Sequence, residues 1–103
     1  MSNMFYGCSS LISINLTNFV TSQVSDMSNM FYNCLSLTSL NLSNFVFNDM
    51  VEMSNIFNGC SNLEYINLTN LREINLNNNI FEGVPDNIVV CLNEENIDEN
   101  RLI

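Results

Sequence analysis

Residues 27–52 read MSNMFYNCLSLTSLNLSNFVFNDMVE, and residues 1–26, just ahead of them, read MSNMFYGCSSLISINLTNFVTSQVSD. Fifteen of the 26 aligned positions are identical. A third copy opens at Met53 as MSNIFNGCSNLEYINLTNL and then shortens. Ile74, Asn77, Ile80, Phe81 and Gly83 fall 24 positions after Met50, Met53, Ile56, Phe57 and Gly59, so two residues are missing after Leu71. The following FEGVPDNIVVCL begins a fourth copy, with Val84 in the slot that holds Cys8, Cys34 and Cys60, and then loses the pattern. A fixed period of about 20 to 50 residues marks an array whose units bury their apolar sides only against one another. The chain therefore divides into coils 1–26, 27–52, 53–76 and a partial coil 77–85, followed by a capping segment and acidic tail or linker over 86–103.

Each copy contains L-x-x-[LI]-x-L-x-x-[FL]: Leu11, Ile14, Leu16 and Phe19; Leu37, Leu40, Leu42 and Phe45; Leu63, Ile66, Leu68 and Leu71. This is a leucine-rich-repeat spacing. Alternation around I-N-L and L-N-L predicts one short strand per coil, with Ile14 and Leu16 facing in and Asn15 facing out. The other half of the coil reads [VMI]-x-x-M-x-x-[MI]-F-x-x-C, whose spacings of three and four predict a short helical turn. Ser28 or Ser54 would cap it and Asn33 or Gly59 would end it, with a brief second strand ahead. The expected fold is α/β but β-rich: a leucine-rich-repeat solenoid of period 26 whose stacked coils each carry a short parallel strand and a short helical turn. All six Met (Met1, Met4, Met27, Met30, Met50, Met53) are expected in inward columns as flexible core filler. Val84 to Leu92 should close the C-terminal end, with Ile88, Val89, Val90 and Leu92 as that cap's core. Nothing comparable guards the first coil, so the isolated chain should be marginal or self-associate through that end.

Composition narrows function by exclusion. The 103 residues include 47% hydrophobic side chains, enough for a packed core, but only 2 Lys+Arg against 11 Asp+Glu, for a net charge of −9, and no His. The usual general base, the commonest metal ligand and any basic patch are missing, which speaks against an enzyme and against nucleic acid as a partner. A carbohydrate-cleaving β-helix enzyme would need clustered carboxylates with basic residues, and the coils have almost neither. No apolar run is long enough for a membrane span and the first residues lack signal-peptide character, so no direct membrane insertion is expected. No cofactor or metal site is expected: the Cys lack C-x-x-C spacing, and the acidic 93–101 segment lacks the alternating carboxylates and turn Gly of a calcium loop. That segment reads as a solvated helical cap or linker.

Polarity is carried instead by 21 Asn and 12 Ser. The outward strand positions are Ile12, Ser13, Asn15 and Thr17; Thr38, Ser39, Asn41 and Ser43; Glu64, Tyr65, Asn67 and Thr69. Stacked, these form a flat donor and acceptor surface able to hold a glycan or an extended polypeptide, or simply a hydrogen-bonded structural ladder. Asn15, Asn41 and Asn67 each open an N-x-[ST] sequon, readable only in a glycosylating secretory pathway. Cys8, Cys34 and Cys60 share one column. A disulfide between coils about 4.8 Å apart is sterically possible, and a ladder of buried thiols is the alternative. Cys91 has no periodic partner.

The motif MSNMFYxCxSLxSLNLSNF resembles the BspA-like leucine-rich-repeat surface proteins over roughly residues 1–85, in three successive registers. The resemblance implies a β-rich solenoid on a microbial cell surface, part of a longer repeat array, with adhesion or protein and glycan recognition as its role. It supplies no catalytic residues. An intracellular scaffold that binds a partner protein, and a structural stalk with no ligand, fit the same residues.

Overall fold

The triplets Ser39-Leu40-Asn41 and Tyr65-Ile66-Asn67 each set an apolar side chain between two polar ones, and extended backbone turns the middle one to the opposite face. The computed structural model, which describes residues 1–72, 75 and 79–93, forms three short strands there and beyond: β1 (Ser39–Asn41), β2 (Tyr65–Asn67) and β3 (Val89–Cys91). They make one parallel sheet in chain order. Ser39, Leu40 and Asn41 lie opposite Tyr65, Ile66 and Asn67, which lie opposite Val89, Val90 and Cys91. The first step is 26 residues and the second 24, so the deletion after Leu71 is absorbed without shifting the sheet. The strand expected around Ser13 to Asn15 does not form. That unit has a neighbour on one side only, and its contribution there is a single bond from the Thr38 N–H to the Ile12 carbonyl at 3.4 Å. The third strand comes instead from 89–91.

The expected helical turn is absent too, and the reason is in the hydrogen bonds. From Met27 to Leu37 the chain runs through successive four-residue turns, closed by N–H groups of Met30, Tyr32, Cys34 and Leu37 on the carbonyls of Met27, Asn29, Phe31 and Cys34. The intervening N–H groups of Met27, Asn29, Phe31 and Asn33 donate to Glu52, Ser54, Ile56 and Asn58 in the next unit, at 2.7–3.0 Å. An α-helix keeps these bonds within the segment. Here every second one leaves it. Asn29 and Asn33 stand at φ of 59° and 57°, a left-handed conformation that interrupts a right-handed helix and that Asn tolerates better than most residues. Asn3, Asn55 and Asn79 repeat the first position, and Gly7, Gly59 and Gly83 the second. At Gly59 an added Cβ would overlap the Asn33 side-chain amide and lie 3.1 Å from its Cα, so the stacking distance as well as φ selects glycine.

Ser28 is not a helix cap. Its N–H donates to the Asp26 carboxylate at 2.9 Å, and this bond, with a second from the Ser28 hydroxyl, holds the Asp26 carboxyl below its usual range. The expected second strand is reduced to one parallel bridge between Asp26 and Glu52.

The core lies between sheet and turn tract. Leu37, Leu40, Leu42 and Phe45 meet Met27, Met30, Phe31 and Cys34, all buried, and the next unit repeats the set with Leu63, Ile66, Leu68, Leu71, Met53, Ile56, Phe57 and Cys60. Identical residues stack across units. Phe5, Phe31 and Phe57 form a ring column with centroid distances of 5.6 and 6.1 Å, and Phe19 sits 6.3 Å from Phe45. Asparagine amides tie the units together: Asn44 donates to the Leu16 carbonyl at 2.9 Å, Asn48 to those of Ser22 and Val24, and Asn70 to Ser43 and Phe45.

Two expected inward positions are corrected. Met4 is 50% and Met50 85% exposed. Met4 lies in the first unit, uncovered on one side. At Met50 the first two copies have already diverged (TSQVSD against FNDMVE), and the buried slots there are filled by Phe47 and Val51. Of the proposed cap core, Ile88, Val90 and Leu92 pack against the core while Val89 points outward. Ile74, Asn77 and the acidic residues 94–101 lie outside the described residues.

Candidate ligand face

Period-two alternation brings the outward residues of β1 and β2 side by side. Ser39 is registered with Tyr65 and Asn41 with Asn67, while Leu40 and Ile66 turn into the core. None of the twelve residues read as outward is buried: Ile12, Ser13, Asn15, Thr17, Ser39, Asn41, Glu64 and Tyr65 are exposed, and Thr38, Ser43, Asn67 and Thr69 are half-buried. The second and third units form one continuous row. The first is held less closely, through Ile12 and Thr38.

The three asparagines do not bond to one another along the ladder. Each closes a local turn, its Oδ1 accepting the N–H two residues on: Asn15 from Thr17 at 3.0 Å, Asn41 from Ser43 at 3.0 Å and Asn67 from Thr69 at 3.1 Å. The acceptor oxygen is thereby fixed at the same position of successive units, with Asn15 and Asn41 exposed and Asn67 half-buried. The register adds a residue that the sequence reading sent elsewhere: Val89, 59% exposed, lies beside Tyr65 on the outer face. An offset of 24 from Tyr65 lands on Val89, so the deletion already visible after Leu71 carries that signal. The same offset sets Cys91 opposite Asn67, giving it a column after all.

The other cysteines pack as a thiol column. All four are free; Cys34 donates its S–H to the Phe5 carbonyl and Cys60 to that of Phe31, both at 3.1 Å. Burial pushes the Cys60 thiol up to about 12, with the neighbouring Cys34 adding to the effect, and burial raises Cys34 as well. Elsewhere, a shallow depression of about 330 Å³ is lined by Phe45, Val46, Phe47, Asn48, Asn70 and Arg72. Arg72 is paired there with Asp49 and the Phe47 carbonyl. Among the described residues no three His, Cys, Asp or Glu gather in a group that could hold a metal ion, and no helix is long and apolar enough to cross a membrane.

The chain is thus a β-rich assembly of parallel units, mutually bonded along one direction, with a polar outer row. It belongs to the family described as "Mycoplasma protein of unknown function, DUF285", which matches residues 1–88. No curated protein and no solved structure matches it.

Proposed function

We propose that this chain is a stretch of a leucine-rich-repeat solenoid of the BspA-like kind and acts as a noncatalytic binding module on a microbial cell surface, recognising a glycan or an extended polypeptide. The observation that carries the reading is the row of Asn15, Asn41 and Asn67 at one position of successive units, each with its oxygen committed to a turn, which leaves its amide N–H groups as the donors a ligand could use. Flanking hydroxyls of Ser13, Ser39 and Thr69 and the apolar pair Tyr65 and Val89 supply the mixed chemistry that such ligands bind. Repetition at a fixed spacing converts weak contacts into avidity.

The test is a screen of glycans and matrix proteins against the 103-residue chain, beside a triple variant carrying Asn15→Asp, Asn41→Asp and Asn67→Asp. Aspartate keeps the turn-closing oxygen and removes the donor, so the fold should persist while binding falls at least tenfold. Unchanged binding by the folded variant would refute the role of this row. Antibody labelling of intact cells tests the location; labelling only after permeabilisation would refute a surface module and favour the intracellular scaffold.

A further inference from the structure

Asn58 is the one asparagine in the sequence that is followed by glycine. The same position of the other units holds Tyr6, Tyr32 and Glu82, so the dipeptide Asn58-Gly59 belongs to the third unit alone. Asparagine is a thermolabile residue, and before glycine its lability has a geometric cause. The backbone nitrogen of the next residue reaches the side-chain carbonyl carbon, and glycine has no Cβ to obstruct the closing ring. A folded chain suppresses this reaction where that N–H is held in a short hydrogen bond and the side-chain amide is pinned.

Neither restraint is strong at this site. Gly7 donates to the Tyr32 carbonyl at 2.7 Å and Asn33 to the Asn58 carbonyl at 2.9 Å. The corresponding Gly59 N–H reaches its acceptor at 3.4 Å, beyond the usual range of about 2.7–3.2 Å. That acceptor is the Gly83 carbonyl, one residue past Glu82, the counterpart of Tyr32 and Asn58, so this bond is out of register with the other two. The Asn58 amide is held by one long bond, from Nδ2 to the Asn55 Oδ1 at 3.3 Å. It lies over the bare backbone of Gly83, where a Cβ would overlap it. Asn58 and Gly59 are both half-buried, which leaves them open to water.

We propose that Asn58 is a site of spontaneous deamidation in the folded protein. A solvent base takes the Gly59 N–H proton, the nitrogen attacks Cγ of Asn58, and the side-chain nitrogen leaves as ammonia, which closes a five-membered succinimide. Water then opens either of the ring's two carbonyl–nitrogen bonds. One opening gives aspartate; the other gives isoaspartate, whose main chain runs through the former side chain. The change falls on a joint between units. In isoaspartate the carbonyl that accepts the Asn33 N–H becomes a carboxylate off the main chain, and the backbone gains an atom. In aspartate an oxygen replaces the Nδ2 that faces Asn55 Oδ1, setting acceptor against acceptor. Deamidation therefore loosens the third unit from its neighbours as the protein ages.

The test is incubation of the full chain at pH 8, followed by peptide mapping by mass spectrometry and labelling with an isoaspartyl methyltransferase. Residue 58 should convert about ten times faster or more than Asn29, Asn33 and Asn55, which share the turn tract but precede Met30, Cys34 and Ile56. The rate should rise with pH, and amide hydrogen exchange at Asn33 should quicken in the aged sample. Asn58→Tyr, which restores the residue of the two preceding units, should abolish the label. Conversion at residue 58 no faster than at the other three overturns the proposal. So does label that persists in Asn58→Tyr, or label that forms in urea but not in the native chain, since the fold would then protect the site.

Discussion

Replacing Phe31 by alanine tests the stacked ring column directly. Phe31 is fully buried between Phe5 and Phe57, with centroids 5.6 and 6.1 Å away. A buried phenylalanine removes about 150–250 Å² from water, which at about 25 cal/mol per Å² is roughly 4–6 kcal/mol for the side chain. Alanine keeps part of that and relaxation recovers more, so the expected cost is about 3–5 kcal/mol, in line with other phenylalanine truncations in cores. Against a total stability of about 5–15 kcal/mol, this is a large share. Phe5 occupies the same column but is half-buried and has a ring on one face only. Its truncation should cost about half as much or less. Urea unfolding followed by circular dichroism at a concentration where the chain is monomeric gives both numbers. With a slope of about 2 kcal/mol per molar, Phe31→Ala should lower the midpoint by about 2 M. The double variant should be less destabilised than the sum of the two, by about 0.5–1.5 kcal/mol of ring–ring coupling. Equal costs at Phe5 and Phe31, or a cost below about 1 kcal/mol at Phe31, would refute the stacked column.

Three further outcomes follow from other contacts. Asn44→Ala should destabilise by about 1 kcal/mol by removing the amide's bonds to the Leu16, Thr17 and Phe19 carbonyls, of which Leu16 keeps the Phe19 N–H, whereas Asn18→Ala, in the same column of the first unit, should cost a few tenths; equal effects would remove the bridging role. Under native conditions at pH 8, Cys8 and Cys91 should react with iodoacetamide while Cys34 and Cys60 stay unmodified until urea unfolds the chain, since a thiol at about 12 instead of 9.0 holds about a thousandth of the thiolate and is buried besides. The Asp26 carboxyl is held low by Ser28, so its contribution is present above the unfolded value of 3.8 and is lost as pH falls through the lower folded value. Asp26→Asn should therefore lower stability at neutral pH and flatten the acid limb of a stability–pH curve, and an unchanged limb would show the bond to be immaterial.

The strand half of each unit was legible in the sequence because period-two alternation is a local property: Leu40 and Ile66 buried, Ser39 and Tyr65 exposed follow from the triplets alone. The turn half was misread as helical because three-and-four spacing of Met27, Met30, Phe31 and Cys34 also arises when overlapping four-residue turns follow one another. What separates the two readings is the destination of alternate N–H groups, which lies 25 residues away. The asparagines and glycines at positions 29, 33, 55 and 59 were the available sign, since both types accept the left-handed backbone that an α-helix interior rejects. Met50 failed for a different reason: its place was borrowed from the period in a stretch where the copies no longer agree. Of the candidate face, the column of Asn15, Asn41 and Asn67 was readable, but its turn-closing role was not, because alternation says which way a side chain points and not what it bonds.

The change of step from 26 to 24 residues has a practical consequence. The left-handed column passes from Asn55 to Asn79 and the sheet from Tyr65 to Val89 with both registers intact. A two-residue shortening between Leu71 and Asn79 is therefore accommodated while the faces on either side stay fixed. A graft of a foreign epitope, fluorophore tag or protease site along this connection must keep Asn75, which is buried and donates its amide to the Asn48 carbonyl of the unit before.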